Sequence, residues 1–148
     1  MIDRIIARLL GTRWLMRLPI PIYRAGLGRL LGPRFVMIEH LGRSSGEPRF
    51  VVVEIVEREG RALRVASGFG TKAQWYRNLR ANGVAYVSTG GVRRARVAVE
   101  LLDEEASDEV LARYRDAHPD AAQRLKGAMD VVQGHDARIP IVEFRPLG

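Results

Sequence analysis

From Arg94 to Leu101 the sequence alternates with period two, and this constrains the fold more than any other feature. Ala95, Val97, Val99 and Leu101 fall on one face and Arg94, Arg96, Ala98 and Glu100 on the other, so this strand has one wet side. Val84 to Ser88 precedes it across Thr89-Gly90-Gly91, which predicts a hairpin. A second hairpin is predicted from Phe50 to Val56 and Leu63 to Ala66, joined by a turn at Glu57 to Gly60. Phe35 to Leu41 and Ile139 to Phe144 add outlying strands. Five or six mostly antiparallel strands on a chain of 148 residues define an α+β domain whose sheet curls into a small barrel.

Helices occupy the remainder. Ile2, Ile5, Ile6, Leu9 and Leu10 share one face opposite Arg4 and Arg8, which predicts an N-terminal amphipathic helix. Arg interrupts its apolar run, so it has no signal-peptide core. Pro19 and Pro21 break it, and a short apolar stretch from Tyr23 to Leu31 ends at Gly32-Pro33. Thr71 to Asn82 reads as a helix between the two hairpins. Ser107, with Asp108 and Glu109, is the expected cap of another, ending near His118-Pro119, and Ala121 to Val132 is a further one. The helical segment 1–33 and the barrel 34–148 make a single domain, long enough to bury about 68 to 70% of its unfolded surface.

Charge is unevenly spread. The formal net charge is +7, with +6 in residues 1–50, +5 in 51–100 and −4 in 101–148, and 22 of the 24 basic residues are Arg. The first hundred residues therefore suit an anionic partner: nucleic acid, lipid headgroups or a phosphorylated cofactor. With no Cys, thiol nucleophiles, zinc ribbons and iron–sulfur clusters are excluded. No apolar run approaches the roughly 18 residues of a membrane span. His40, His118 and His135 lie in separate segments without ligand spacing, so structural or surface roles are expected and no metal.

Two familiar patterns fail on context. Gly42-Arg43-Ser44-Ser45-Gly46 matches a nucleophile elbow, but a strand rather than a helix follows it. Gly26, Gly28 and Gly32 miss dinucleotide spacing by one residue. Two Gly/Ser-rich basic loops remain. Gly42 to Arg49 offers two guanidinium forks, two hydroxyls and free amides, the groups that bind phosphate or carboxylate. Ser67-Gly68-Phe69-Gly70-Thr71-Lys72 leaves a strand and enters a helix, where N-terminal amides favour negative charge. Each loop alone also reads as a tight turn with solvated charges; together they flank one hairpin.

Gly42-Arg43-Ser44-Ser45-Gly46-Glu47-Pro48-Arg49, then Ala66-Ser67-Gly68-Phe69-Gly70, then Trp75-Tyr76-Arg77-Asn78-Leu79-Arg80-Ala81-Asn82, resembles the deazaflavin-dependent nitroreductase family. The similarity runs from about residue 22 to the last strand. It implies a split β-barrel using coenzyme F420, whose flat ring carries a phosphodiester and a polycarboxylate tail. By this resemblance Arg43, Ser44, Ser45 and Arg49 hold the phosphate and tail with help from Lys72. Ser67, Gly68, Phe69 and Gly70 present amides to the ring edge, and Trp75, Tyr76 and Asn78 shape and close the pocket. Core packing is the competing role for Trp75 and Tyr76, and a cap or local backbone bond for Asn78.

The reaction so implied is hydride transfer from the reduced deazaflavin to a small electrophile: a quinone, an enone or a nitro compound. The stretch Pro119 to Arg124 lacks the Tyr that contacts substrate in the best-known branch, which leaves Tyr23, Tyr114 or water to deliver the proton. Expected partners are the electron acceptor, a second copy of the chain, and an anionic membrane surface at residues 1–18; nucleic acid is not expected. A cytoplasmic, membrane-associated location follows. The alternatives are a basic binder of anionic membrane or nucleic acid, and a split barrel that holds FMN, haem or a fatty acid.

Overall fold

A computed structural model describes residues 19–25, 28, 32–68, 70–133 and 138–147. The expected N-terminal amphipathic helix, its membrane contact, Phe69 and His135 lie outside the described residues. The elements are α1 (Ile20–Arg24), β1 (Phe35–Leu41), β2 (Pro48–Glu59), β3 (Ala62–Ala66), a 3-10 turn (Gly70–Lys72), α2 (Gln74–Asn82), β4 (Val84–Thr89), β5 (Val92–Leu101), α3 (Glu104–Ala117), α4 (Pro119–Gln133) and β6 (Ile141–Pro146).

Six strands close into a barrel in the order β1-β2-β3-β6-β5-β4, every neighbour antiparallel, with β4 returning to β1 through Met37↔Ser88 and Ile38↔Val87. The alternation in β5 does what it predicts: Val97 is buried and Ala95, Val99 and Leu101 are half-buried against the core, while Arg94, Arg96 and Glu100 are exposed. Val36, Ile38, Val65, Val142 and Phe144 fill the interior. Trp75, Tyr76 and Leu79 of α2 join that cluster, so the helix stops one end of the barrel. On the outside, Met37, Phe50 and Val52 meet Ile20 and Tyr23 of α1, while Val56, Ala66 and Ile141 carry α3 and α4 through Val110, Tyr114 and Met129.

Three expectations are corrected. β2 runs on to Glu59, and the turn shifts to Gly60-Arg61, with Gly60 at φ +59. Its polar end reads like a loop, yet Glu57 and Glu59 pair across to Arg64. Asp103, not Ser107, caps α3 by accepting the Ala106 N–H at 2.8 Å. Ser107 Oγ instead accepts the Ile141 N–H at 3.0 Å and fastens the helix to β6. Pro19 and Pro21 stand at the N-cap and first turn of α1, starting a helix whose orphan N–H groups proline lacks.

Candidate functional site

Arg43, Ser44, Ser45, Arg49, Gly68, Gly70, Lys72, Trp75, Tyr76, Asn78, Tyr23 and Tyr114 all line one groove of ≈ 2840 Å³. Phe50 and Val52 of β2 line it, as do Leu111 of α3 and Leu125 and Met129 of α4. Along β2 the lining runs from Arg49 to Glu54, and five steps at strand rise span about 17 Å.

At the Arg49 end the β1–β2 loop is tied by Gly42 N–H to the Glu47 carbonyl (2.9 Å) and Gly46 N–H to the Gly42 carbonyl (2.8 Å). Gly46 sits at φ +71, a conformation that disfavours a side chain. Asn78 Oδ1 accepts both the Arg43 backbone N–H (3.1 Å) and Nη1 (2.8 Å), and Gln74 Oε1 accepts Nη2 (2.8 Å). Asn82 Nδ2 donates to the Leu41 carbonyl at 3.0 Å, a second tie between α2 and the loop. Arg43, Arg49 and Lys72 form no ion pair among the described residues, whereas Arg34, Arg64, Arg94, Arg113, Arg138 and Arg145 all do. Ser44 and Ser45 are exposed, and Ser45 Oγ accepts the Glu47 N–H at 3.2 Å.

The second loop differs from its expectation. The Ser67 N–H is spent on the Pro140 carbonyl (2.9 Å) and the Gly70 N–H on the Ser67 carbonyl (3.1 Å). Ser67 is fully buried, its Oγ donating to the Gly70 carbonyl at 2.7 Å. Its role is to hold the loop, not to face a ligand. Gly68 packs so closely that a Cβ would stand 2.7 Å from Met129 Sδ, and Gln133 Nε2 donates to its carbonyl at 2.7 Å. Trp75 and Tyr76 lie edge to face at 6.3 Å and serve the core as well as the groove.

Tyr114 Oη donates to Glu54 Oε1 at 2.9 Å, the carboxylate that Arg34 Nε also contacts at 3.0 Å. Burial and that bond push the Tyr114 phenol up to about 12. Tyr23 is buried, its hydroxyl without a hydrogen-bond partner among the described residues, and burial raises it too. Both phenols hold their protons at neutral pH. Sequence reasoning missed His40, which lines the groove with 5% exposure. Its Nδ1 faces Asn78 Nδ2 at 3.1 Å, and burial, with Arg49 nearby, lowers its pKa to about 4. Its phase with Val36 and Ile38 was the available signal. No cluster of three or more potential metal ligands occurs among the described residues.

The groove, with an apolar lining and a cationic end on a closed split barrel, has the form of a site for a flat anionic cofactor. The model of the family described as F420H(2)-dependent quinone reductase matches residues 15–142, and the chain belongs to that family. It is an F420-dependent oxidoreductase. Among solved structures, an F420-H2 dependent reductase is 21% identical with a TM-score of 0.54, covering 76% of this chain and 94% of that one. A structure described as a domain-swapped dimer is 22% identical with a TM-score of 0.58, covering 91% and 99%. The heme storage protein HutZ from Vibrio cholerae is 12% identical with a TM-score of 0.53, covering 90% and 91%. These likenesses bear out the barrel fold. No curated protein matches the chain.

Proposed function

We propose that the groove seats reduced F420 with its anionic tail at Arg43, Arg49 and Lys72, and presents its ring to a quinone, enone or nitro acceptor. The observation that carries this reading is that these three groove-lining cations take no acidic partner among the described residues, while Arg64, Arg94 and Arg145 of the barrel wall are paired. When bound, the reduced deazaflavin supplies the hydride. Arg43, held by Asn78 and Gln74, offers its remaining N–H groups to phosphate or carboxylate. Phe50, Val52, Leu125 and Met129 exclude water from the ring and orient the acceptor against it. The missing Cβ at Gly68 leaves room for Met129, so both would line the part of the groove that would hold the ring.

Glu54 fixes Arg34 at the far end of the groove, where a guanidinium suits an acceptor's oxygen; Tyr114 fixes Glu54. The final proton comes from water or from one of the two groove phenols, Tyr23 and Tyr114, both of which carry it at neutral pH. Fluorescence titration with F420 and with FMN tests the cofactor site, followed by turnover with a benzoquinone, an enone and a nitroaromatic. Tight F420 binding that weakens with salt, and turnover of the quinone, is the expected result; equal affinity for FMN would overturn the assignment. A homodimer belongs to this reading, supported by the neighbour described as a domain-swapped dimer. Light scattering on the purified chain checks it.

A further inference from the structure

The Asn78 amide connects two groups that belong to different elements. Its Oδ1 meets two donors of Arg43, so its Nδ2 is turned toward His40. A ring nitrogen that receives an amide N–H carries no proton, which places the imidazole proton on Nε2. Asn78 is 4% exposed and His40 5%, so water does not readily replace either partner. A flipped amide would set its NH2 against the Arg43 backbone N–H and guanidinium and its oxygen against the imidazole lone pair. Three hydrogen bonds would be lost together. The amide therefore has one stable orientation, and the His40 lone pair is what specifies it from the side away from Arg43.

We propose that His40 is a positioning residue: its unprotonated Nδ1 locks the Asn78 amide, and the amide presets the Arg43 backbone and guanidinium for an anionic group. Arg43 is then ordered before its ligand arrives, which spares the ordering cost of a long side chain on binding. The identity of that ligand as F420 rests on the reading above; the relay itself does not. Nothing in the spacing of the three residues announces it, since 38 residues separate His40 from Asn78 and 35 separate Asn78 from Arg43.

Three variants and one spectrum test this. His40→Leu keeps an apolar side chain in the buried place without an acceptor, and His40→Asn returns an acceptor near the Nδ1 position. F420 titration followed by fluorescence should give affinity about tenfold weaker for His40→Leu, the effect of one charge-linked hydrogen bond, and within about threefold of wild type for His40→Asn. In an Arg43→Lys background, which retains charge but not the fork, His40→Leu should cost less than about twofold. Wild-type affinity in His40→Leu, or the same tenfold loss in the Arg43→Lys background, overturns the proposal. Independently, long-range proton–nitrogen NMR of the unliganded protein at neutral pH should show the Nε2–H tautomer of His40. The Nδ1–H tautomer overturns the relay whether or not F420 binds. Absence of F420 binding by the wild type overturns the cofactor reading alone and leaves the tautomer to decide this one.

Discussion

Arginine serves two regions of this molecule in opposite ways. On the barrel wall Arg64 reaches Glu143 at 2.9 Å and Glu59 at 2.8 Å and also bonds Glu57, while Arg113 and Arg145 close the network from outside. At the groove end Arg43 is held by neutral amides and Arg49 and Lys72 by no acid among the described residues. A carboxylate partner consumes a guanidinium's charge; an amide partner aims it and leaves the charge available. Net charge therefore says less about binding than which cations remain uncompensated.

Breaking the wall should cost the most. Arg64→Met leaves Glu143 to Arg145 and Glu57 to Arg113 alone, with the Glu143 side chain only 5% exposed, and should destabilise by about 2 to 4 kcal/mol in urea unfolding. F420 affinity should change little. A pH series of unfolding curves separates the two regions next. His40 titrates at about 4 in the folded protein against an ordinary 6.5, so the unfolded chain takes up a proton first. Stability is full above 6.5 and falls as pH drops toward 4, by about 3 kcal/mol. Among the described residues the polar groups set against His40 are Arg49 and Asn78, and neither supplies a compensating negative charge.

Below about pH 4.5, the ordinary glutamate value, the loss passes to the wall. Burial pushes Glu143 up, but its bonds to Arg145 and Arg64 prevail and hold it low; Arg113 and Arg64 likewise hold Glu57 low against burial. Their contribution is present above the unfolded value and lost as pH falls. Arg64→Met should shrink this lower phase and spare the upper. Arg43→Ala reverses the pattern, weakening F420 binding by about 1.5 to 3 kcal/mol in titration while unfolding shifts by under about 1 kcal/mol. Tyr114→Phe should cost about 1 kcal/mol of stability through Glu54 and leave turnover unchanged if water supplies the proton. Lys126→Ala, which removes an exposed pair with Asp130 at 2.9 Å, should move stability by at most about 0.5 kcal/mol.

The strands were legible because alternation and β-branched runs are local, and the barrel followed from their number. Glu57 to Glu59 was not, since a polar strand end whose acids meet Arg64 on the next strand looks like a turn until the pairing is known. Asp103 and Ser107 are both good caps, and only the placement of β6 decides which one is free to cap α3. The loop cations and the Trp75 to Asn82 segment were readable as the residues that carry the family resemblance, and the family model matching residues 15–142 agrees with the family. The phase of His40 with Val36 and Ile38 marks it only as inward-facing; its meaning comes from Asn78 of α2 lying against it.

The pairing of β6 gives the chain a schedule. It is the last of the six strands in sequence, yet it sits between β3 and β5, with Leu63 opposite Phe144 and Val99 opposite the same Phe144. Both hairpins can form from neighbouring residues as they leave the ribosome, but each waits with an open edge until β6 emerges. Synthesis that stalls before Ile141 would leave two unsatisfied strand edges and the loops of the groove unsupported, since the Ser67 amide bonds Pro140. Assembly of the binding site and protection from aggregation therefore fall in the same final step.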